Sequence, residues 1–258
     1  MPLTPLQASI AELLAANRTP DSYLAGGAAM HIEPNSKRRS DDLDYFHDSE
    51  ERVATAFAQD EALLSREGYL VEVLLRQPGF VRALVRKNDG ETKVEWAHDS
   101  AWRFLPTVRS ARAGFQLNAI DLAVNKLLAL VGRDEPRDYL DIHEAMRVLP
   151  LGALCWAASG KDPGFTPHML LDLLRRRGRY RPEDFARLDL AEPVNLPALK
   201  ARWLAALDDA ERFFATRDPS EVGCLYYSRT KKTFVQPEPG EDVVPHYGRP
   251  GGVIPSLR

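Results

Sequence analysis

The spacing of apolar residues changes near residue 115 of this 258-residue chain, and that change restricts the fold more than any other feature. Three consecutive segments alternate or run apolar, and turn residues separate them: 69–77, 79–87 and 91–98. Alternation with a period of two residues and short turns predicts strands joined as hairpins. From Asn118 onward the apolar residues recur at helical spacing. We therefore predict an α+β fold, with a mixed sheet and helices first and a mainly helical region after it.

Three regions follow from this pattern. The first, residues 1–115, adds to the hairpin strands two shorter strands, at 23–25 and 40–46, and helices at 5–16 and 50–67. The second, residues 116–217, has helical spacing nearly throughout: 118–130, 139–149, 167–177, 182–187 and 196–215. The third, residues 218–258, is rich in Pro and Gly and contains a candidate hairpin within 224–236.

The composition is that of an ordinary globular protein. The chain is 44% hydrophobic and 28% charged, values that argue against a disordered or membrane-embedded chain. No stretch approaches the roughly 20 apolar residues of a membrane-spanning helix, and the N-terminal sequence lacks the pattern of a signal peptide. We therefore expect a cytoplasmic location with no membrane partner. The net charge of −3 conceals two basic clusters, at 37–39 and 175–181.

A pair of acids follows a Gly-Gly turn and a basic loop. Gly26 and Gly27 end the short strand at 23–25, and Asp42 and Asp44 lie on the next strand with Leu43 between them. Side chains alternate along a strand, so the two carboxylates share one face while Leu43 points to the core. Oxygen ligands of this kind suit magnesium shared with phosphates. A glycine turn also lets backbone N–H groups approach a phosphate chain. Together these features indicate nucleotide chemistry.

Two further charged residues lie in apolar surroundings. Glu95 stands at the centre of the third hairpin strand, where a metal shared with Asp42 and Asp44 would offset the cost of burial. The alternative is a half-exposed strand with Lys93 and Glu95 facing solvent. Lys126 lies in an apolar helical run and could contact a nucleotide phosphate. Its alternative is an amphipathic lysine whose amine reaches water.

The segment GRDEPRDYLDI contributes two more acids. Asp138 and Asp141 are three residues apart and share a helix face. Asp138 can be explained as a helix cap or first-turn acid, whereas Asp141 needs a further explanation.

In order along the chain, these motifs resemble the AbiEii/AbiGii toxins of the polymerase-beta-like nucleotidyltransferase superfamily. The first block is the strand, Gly26-Gly27, Arg38-Arg39-Ser40 and Asp42-Leu43-Asp44-Tyr45; the second runs from Asp121-Leu122 through Lys126 and Arg133 to Arg137-Asp138-Tyr139-Leu140-Asp141. The resemblance covers about residues 20–150. It implies a catalytic domain at 1–115 and a helical domain at 116–217 that completes the active site.

The resemblance also implies roles for single residues. Gly26 and Gly27 would cradle the triphosphate of an NTP, with Arg38 and Ser40 nearby. Asp42 and Asp44 would bind Mg²⁺, with Mn²⁺ as an alternative, and Glu95 matches the place of a third carboxylate. Lys126 would contact the nucleotide phosphates, and Asp138 or Asp141 would complete the catalytic site. Ala28 departs from the Thr or Ser usual after the glycine pair, so a hydroxyl contact to phosphate is missing there.

The implied activity is transfer of a nucleoside monophosphate from an NTP to an acceptor hydroxyl, with release of pyrophosphate. Relatives of this kind modify RNA, including the acceptor end of transfer RNA, and act as toxins countered by a separately encoded antitoxin. The basic cluster, with Tyr180 among its residues, could hold the RNA backbone or could be a solvated helix end: Arg175, Arg176, Arg177, Arg179 and Arg181. Two other functions fit the motifs: modification of a small molecule such as an aminoglycoside, and nucleotide binding without turnover.

Overall fold

The computed structural model describes residues 3–256. Residues 1–2 and 257–258, the outer ends of the predicted regions, lie outside that range. The α-helices of the described part are α1 Pro5–Leu14, α2 Gly26–Met30, α3 Glu50–Arg66, α4 Ala119–Arg133, α5 Pro136–Ala145, α6 Leu151–Lys161, α7 Pro167–Leu174 and α8 Leu196–Phe214. The strands are β1 Ser22–Ala25, β2 Asp42–His47, β3 Leu70–Gln77, β4 Phe80–Lys87, β5 Gly90–His98, β6 Trp102–Arg103, β7 Val108–Ser110, β8 Gly114–Gln116, β9 Cys224–Ser228, β10 Thr233–Val235, β11 Val243–Tyr247 and β12 Arg249–Pro250.

Seven strands form the main sheet, in the order β3-β4-β5-β2-β1-β8-β7. The three predicted hairpin strands pair antiparallel, β3 with β4 and β4 with β5. Strand β2 joins β5 in parallel and β1 antiparallel, which makes the sheet mixed. The predicted α+β class, with a mixed sheet followed by a mainly helical region, is confirmed.

Alternation along β2 separates the core from the site. Leu43 and Tyr45 are fully buried, and Trp96 on β5 stacks beside Tyr45 with ring centroids 6.5 Å apart. Helix α3 covers this face and places the ring of Phe57 edge-on to Trp96. The opposite face of β2 and β5 carries the charged residues.

Helix starts follow from capping side chains. The hydroxyls of Thr4 and Ser49 accept from backbone N–H groups in the first turns of α1 and α3, and the side chain of Asn118 does so for α4. The helix predicted at 182–187 is a short 3₁₀ turn, Pro182–Phe185.

The helical region has its own hydrophobic core, and α6 lies at its centre. Every residue of Leu151–Ser159 is buried. The sequence prediction missed this helix because a helix that is buried all round has no polar stripe to reveal its period. A second core lies between the main sheet and α1 and α3. The domain limits at 115 and 217 stay a prediction.

The Pro- and Gly-rich tail packs on the helical core. The predicted hairpin is present as β9 and β10, and β11 pairs with the other edge of β9. Cys224, Leu225 and Tyr226 belong to the core around α6. Further along, β12 pairs with β6, so the tail also reaches the segment that links the sheet to α4. No helix within residues 3–256 is long and apolar enough to cross a membrane.

Candidate active site

Three carboxylates face one side of the sheet on two neighbouring strands. Asp42 and Asp44 lie on β2, and the parallel register sets Asp44 directly opposite Glu95 on β5. The same register sets Lys93 opposite Asp42, with 3.7 Å between the Lys93 Nζ and an Asp42 carboxylate oxygen. Glu95 is therefore part of the acidic cluster, on the half-exposed face of β5 that also carries Lys93. Its side chain is 16% exposed.

The two glycines make room for this cluster. Gly26 has a φ of +59°, and a Cβ at this position would overlap the carboxylate of Asp44. A Cβ on Gly27 would press on the Ser40 hydroxyl, which in turn donates to Asp42 at 3.1 Å. Only glycine allows the backbone to pass this close to Asp44 and Ser40. Gly27 lines the cavity in front of the acids.

That cavity has a volume of about 130 Å³ and a predominantly charged lining. The three carboxylates occupy the strand side, and Arg38 and Ser40 border it near Gly27. Five further cations line it, from β4, β5, α4 and α5: Arg82, Lys93, Lys126, Arg133 and Arg137. A cavity that combines a cluster of carboxylates with an excess of cations suits a polyanion that carries its own metal ion.

Lys126 is held by an acid rather than reaching water. Its side chain is 7% exposed, and its Nζ lies 2.7 Å from Asp141 and 3.4 Å from Asp138. The interpretation as a solvent-seeking lysine is therefore wrong. Helix α5 packs against α4 and supplies both acids.

Asp141 is the centre of a buried ion cluster. Arg38 donates to its two oxygens through Nε and Nη2, both at 2.6 Å, and His31 Nε2 lies 2.8 Å away. Burial alone would raise the pKa of Asp141, but Lys126 and the hydrogen bonds from His31 and Arg38 outweigh it and hold the pKa well below its usual range. The carboxylate is ionised and fully occupied by its partners.

Asp138 is also fully buried. Arg133 donates to it at 2.5 and 2.9 Å. The N-cap residue of α5 is Glu135, and Asp138 lies in the first turn of that helix, which confirms its interpretation as a first-turn acid. Neither Asp138 nor Asp141 lines the cavity; both hold cations that do.

The acidic cluster is electrostatically crowded. Burial raises the pKa of Asp44 to about 7, and the charges of Asp42 and Glu95 add to the rise. Glu95 accepts from Arg82 Nε at 2.7 Å, which leaves Asp42 and Asp44 as the carboxylates closest to being free.

A magnesium ion fits this donor set. Proteins bind Mg²⁺ through one or two carboxylates together with substrate phosphates, and a cation between Asp42 and Asp44 would relieve their repulsion. In the described residues, no group of three or more His, Cys, Asp or Glu side chains is arranged to hold a metal ion. Glu95 as a third ligand would require Arg82 to move, and that role stays a prediction.

The basic cluster at 175–181 divides into two sets. Arg175 pairs with Asp172 and Glu211, and Arg177 pairs with Asp134 and donates to the carbonyl of Val131. The other three arginines are exposed, and among residues 3–256 their side chains form no ion pair with an acid: Arg176, Arg179 and Arg181.

Tyr180 does not belong to this surface. It is buried against Tyr139 and Phe185 and donates its hydroxyl to Asp134, so the expectation that Tyr180 helps hold an RNA backbone is wrong.

Comparison with known proteins identifies a shared fold. JHP933 from Helicobacter pylori superposes with a TM-score of 0.51 at 17% identity, covering 80% of this chain and 90% of its own. A "putative nucleotidyltransferase" from H. pylori gives 0.46 at 16% identity, covering 80% and 95%. The Cid1 poly(U) polymerase with MgGTP bound gives 0.26 at 12%, covering 83% and 88%. No protein-family profile and no curated protein sequence matches the chain. The chain shares the fold of JHP933.

Several site residues had no signal in the sequence. Arg82 is an ordinary strand residue in a charged alternation, and only the pairing of β4 with β5 brings it beside Glu95. His31 lies 110 residues from its partner Asp141. Arg133 and Arg137 stand in the second motif block, but nothing in their spacing indicated that both would line the cavity.

Proposed function

We propose that the chain is a magnesium-dependent nucleotidyltransferase, related to the AbiEii/AbiGii toxins, that transfers a nucleoside monophosphate from an NTP to a hydroxyl of RNA. The observation that carries the proposal is the parallel register of β2 and β5. It places Asp42, Asp44 and Glu95 on one face, in front of a cavity whose remaining lining is mainly cationic. Phosphoryl transfer needs positioning and charge stabilisation more than covalent chemistry, and this cavity is built for both.

Three cations of the cavity are placed to bind the triphosphate. Lys126, Arg133 and Arg137 come from α4 and α5 and line the same cavity as the acids. In our proposal they hold the phosphates that leave as pyrophosphate and stabilise the charge that develops on them. Asp42 and Asp44 would hold Mg²⁺, which would supply neutralisation of phosphate charge.

Asp138 and Asp141 take positioning roles in this scheme. Their oxygens are occupied by Arg133, Lys126 and Arg38, so neither is free to accept a proton from an acceptor hydroxyl. Glu95 is the better candidate for that proton, because it lines the cavity beside Asp44 and its partner Arg82 is 40% exposed and able to move.

The biological role we propose is that of a cytoplasmic toxin in a toxin–antitoxin or phage-defence pair, with transfer RNA as one acceptor. The exposed arginines of the basic cluster support an RNA substrate. They follow α7 and adjoin Arg177, which contacts the end of α4, the helix whose Arg133 lines the cavity.

The test offers the purified chain each of the four NTPs, labelled at the α-phosphate, together with Mg²⁺ and either total RNA, transfer RNA or a panel of small acceptors including aminoglycosides. We expect label on RNA and growth inhibition on expression, both lost in Asp44→Ala. Label found only on small molecules would contradict the RNA assignment and the toxin role. Growth inhibition without any transfer would contradict the enzymatic assignment.

A further inference from the structure

A second pocket lies on the other side of Arg38 from the catalytic cavity. It has a volume of about 280 Å³ and is bordered by the loop after α2, by α5, by the segment 190–195 and by the start of α8. Arg38 lines both spaces, and its partner Asp141 lines the second together with His31. The two spaces are therefore neighbours that share one buried side chain as their dividing wall.

The interior of the second pocket is mostly apolar. Its walls include Leu140 from α5 and Leu190, Val194 and Leu199 from the opposite segment. His143 also lines it, is 2% exposed, and has no hydrogen-bond partner on either ring nitrogen among the described residues. Apolar walls with a few polar groups are typical of sites for small organic moieties, and the volume is close to what a nucleobase with its ribose needs.

The rim of the pocket adds a positive charge that the catalytic cavity does not use. Lys37 lies 3.7 Å from Glu192, and Arg147 lies 2.9 Å from Glu144, so these two cations are compensated. Arg202 on α8 is exposed, lines the pocket and has no acid within 4.0 Å in residues 3–256. One uncompensated arginine beside an apolar recess suits one phosphate attached to one nucleoside.

We infer that this pocket binds a nucleotide of the RNA acceptor, with the base and ribose against the apolar walls and the phosphate on Arg202. The inference rests on the proposed function. An RNA acceptor is favoured over the NTP because the triphosphate has its own set of cations in the catalytic cavity, whereas Arg202 is separate from them. A nucleotide held in this pocket would be separated from the catalytic cavity only by the side chain of Arg38.

The experiment measures binding first, so that it does not depend on turnover. A short single-stranded RNA with a free 3′ hydroxyl and a 5′ fluorophore is titrated with the full chain, and anisotropy gives the Kd. Ala198 is exposed and lines the pocket, so Ala198→Trp fills the recess without disturbing a core. Lys200→Trp is the matched control, because Lys200 is exposed on the same helix and outside the pocket lining.

We expect Ala198→Trp to raise the Kd for RNA by roughly tenfold, about 1.4 kcal/mol, and Lys200→Trp to leave it unchanged. Arg202→Gln should reduce the salt dependence of binding by about one phosphate contact. In transfer assays, Ala198→Trp should raise the KM for RNA and leave the KM for NTP unchanged. Circular dichroism and the Tm of each variant verify that it is folded.

The outcomes separate the two proposals. Equal RNA affinity in wild type and folded Ala198→Trp, no RNA binding by wild type, or a rise in the KM for NTP alone would each overturn the inference. RNA binding that depends on Ala198 without any transfer of label would support the pocket and contradict the proposed function. Transfer of label to RNA that is the same in wild type and Ala198→Trp would support the proposed function and contradict the assignment of the pocket.

Discussion

Replacing Asp141 with asparagine should cost the protein a large part of its stability. The substitution keeps the shape of the side chain and removes the charge that Arg38, Lys126 and His31 share, at distances of 2.6 to 2.8 Å. Removing one partner from a buried ion pair costs about 3–5 kcal/mol, since the remaining charge stays buried and unpaired. Asp138 remains 3.4 Å from Lys126 and compensates in part, so we expect the lower end of that range, about 3 kcal/mol.

Urea unfolding followed by tryptophan fluorescence measures this loss directly. A domain of ordinary stability has about 5–15 kcal/mol, so the midpoint should fall clearly while the slope stays constant. Because the folded-state pKa of Asp141 is lowered, its contribution is complete above the unfolded pKa of about 3.9 and is lost as the pH falls below that value. The difference between wild type and variant should therefore be full at pH 7 and shrink under acid.

Glu144→Gln on the same helix is the control, because Glu144 makes only a partly exposed pair with Arg147. Its effect should stay within about 0.5 kcal/mol. If Asp141→Asn were as stable as this control at pH 7, the view of Asp141 as the centre of a buried ion cluster would be refuted.

Three further outcomes are expected. Gly26→Ala should lower the free energy of unfolding by about 1–3 kcal/mol in urea titrations and abolish transfer, because its φ of +59° is strained for alanine and its Cβ overlaps Asp44. Burial lowers the pKa of His143 to about 4, so the unfolded chain takes up a proton at a higher pH than the folded chain and acid destabilises the wild type. Between pH 7 and pH 5 the wild type should therefore lose about 2 kcal/mol of unfolding free energy through His143. His143→Phe should not show this loss when thermal unfolding is measured at both pH values. Arg137→Gln should raise the KM for NTP roughly tenfold with little change in Tm, since Arg137 lines the cavity and its nearest acid, Glu135, is 3.4 Å away.

The parts of the fold that the sequence predicts are those with a regular period. Strands β4 and β5 alternate between buried and half-exposed residues over most of their length, and β2 presents Leu43 and Tyr45 to the core as the alternation requires. Helix α6 escapes prediction because it is apolar on all sides. Strands β6, β7 and β8 are two or three residues long and too short to show a period.

The site residues also differ in whether the local sequence can predict them. Asp42 and Asp44 can be found from the sequence because local alternation fixes their shared face. The environments of Lys126 and Asp138 cannot, because each depends on how α4 and α5 pack. Asp141 takes two of its partners, His31 and Arg38, from more than 100 positions away in the chain, beyond the reach of any spacing argument.

The most direct test of the central claim compares two adjacent acids. Asp42 is buried at the cavity and Asp41 is exposed beside it, so Asp42→Asn and Asp41→Asn make the same chemical change one residue apart. With labelled NTP, Mg²⁺ and RNA, we predict that Asp42→Asn lowers the transfer rate by about a hundredfold or more while Asp41→Asn transfers at the wild-type rate. Equal rates in the two variants, or no transfer by the wild-type chain to any acceptor, would contradict nucleotidyl transfer at this site.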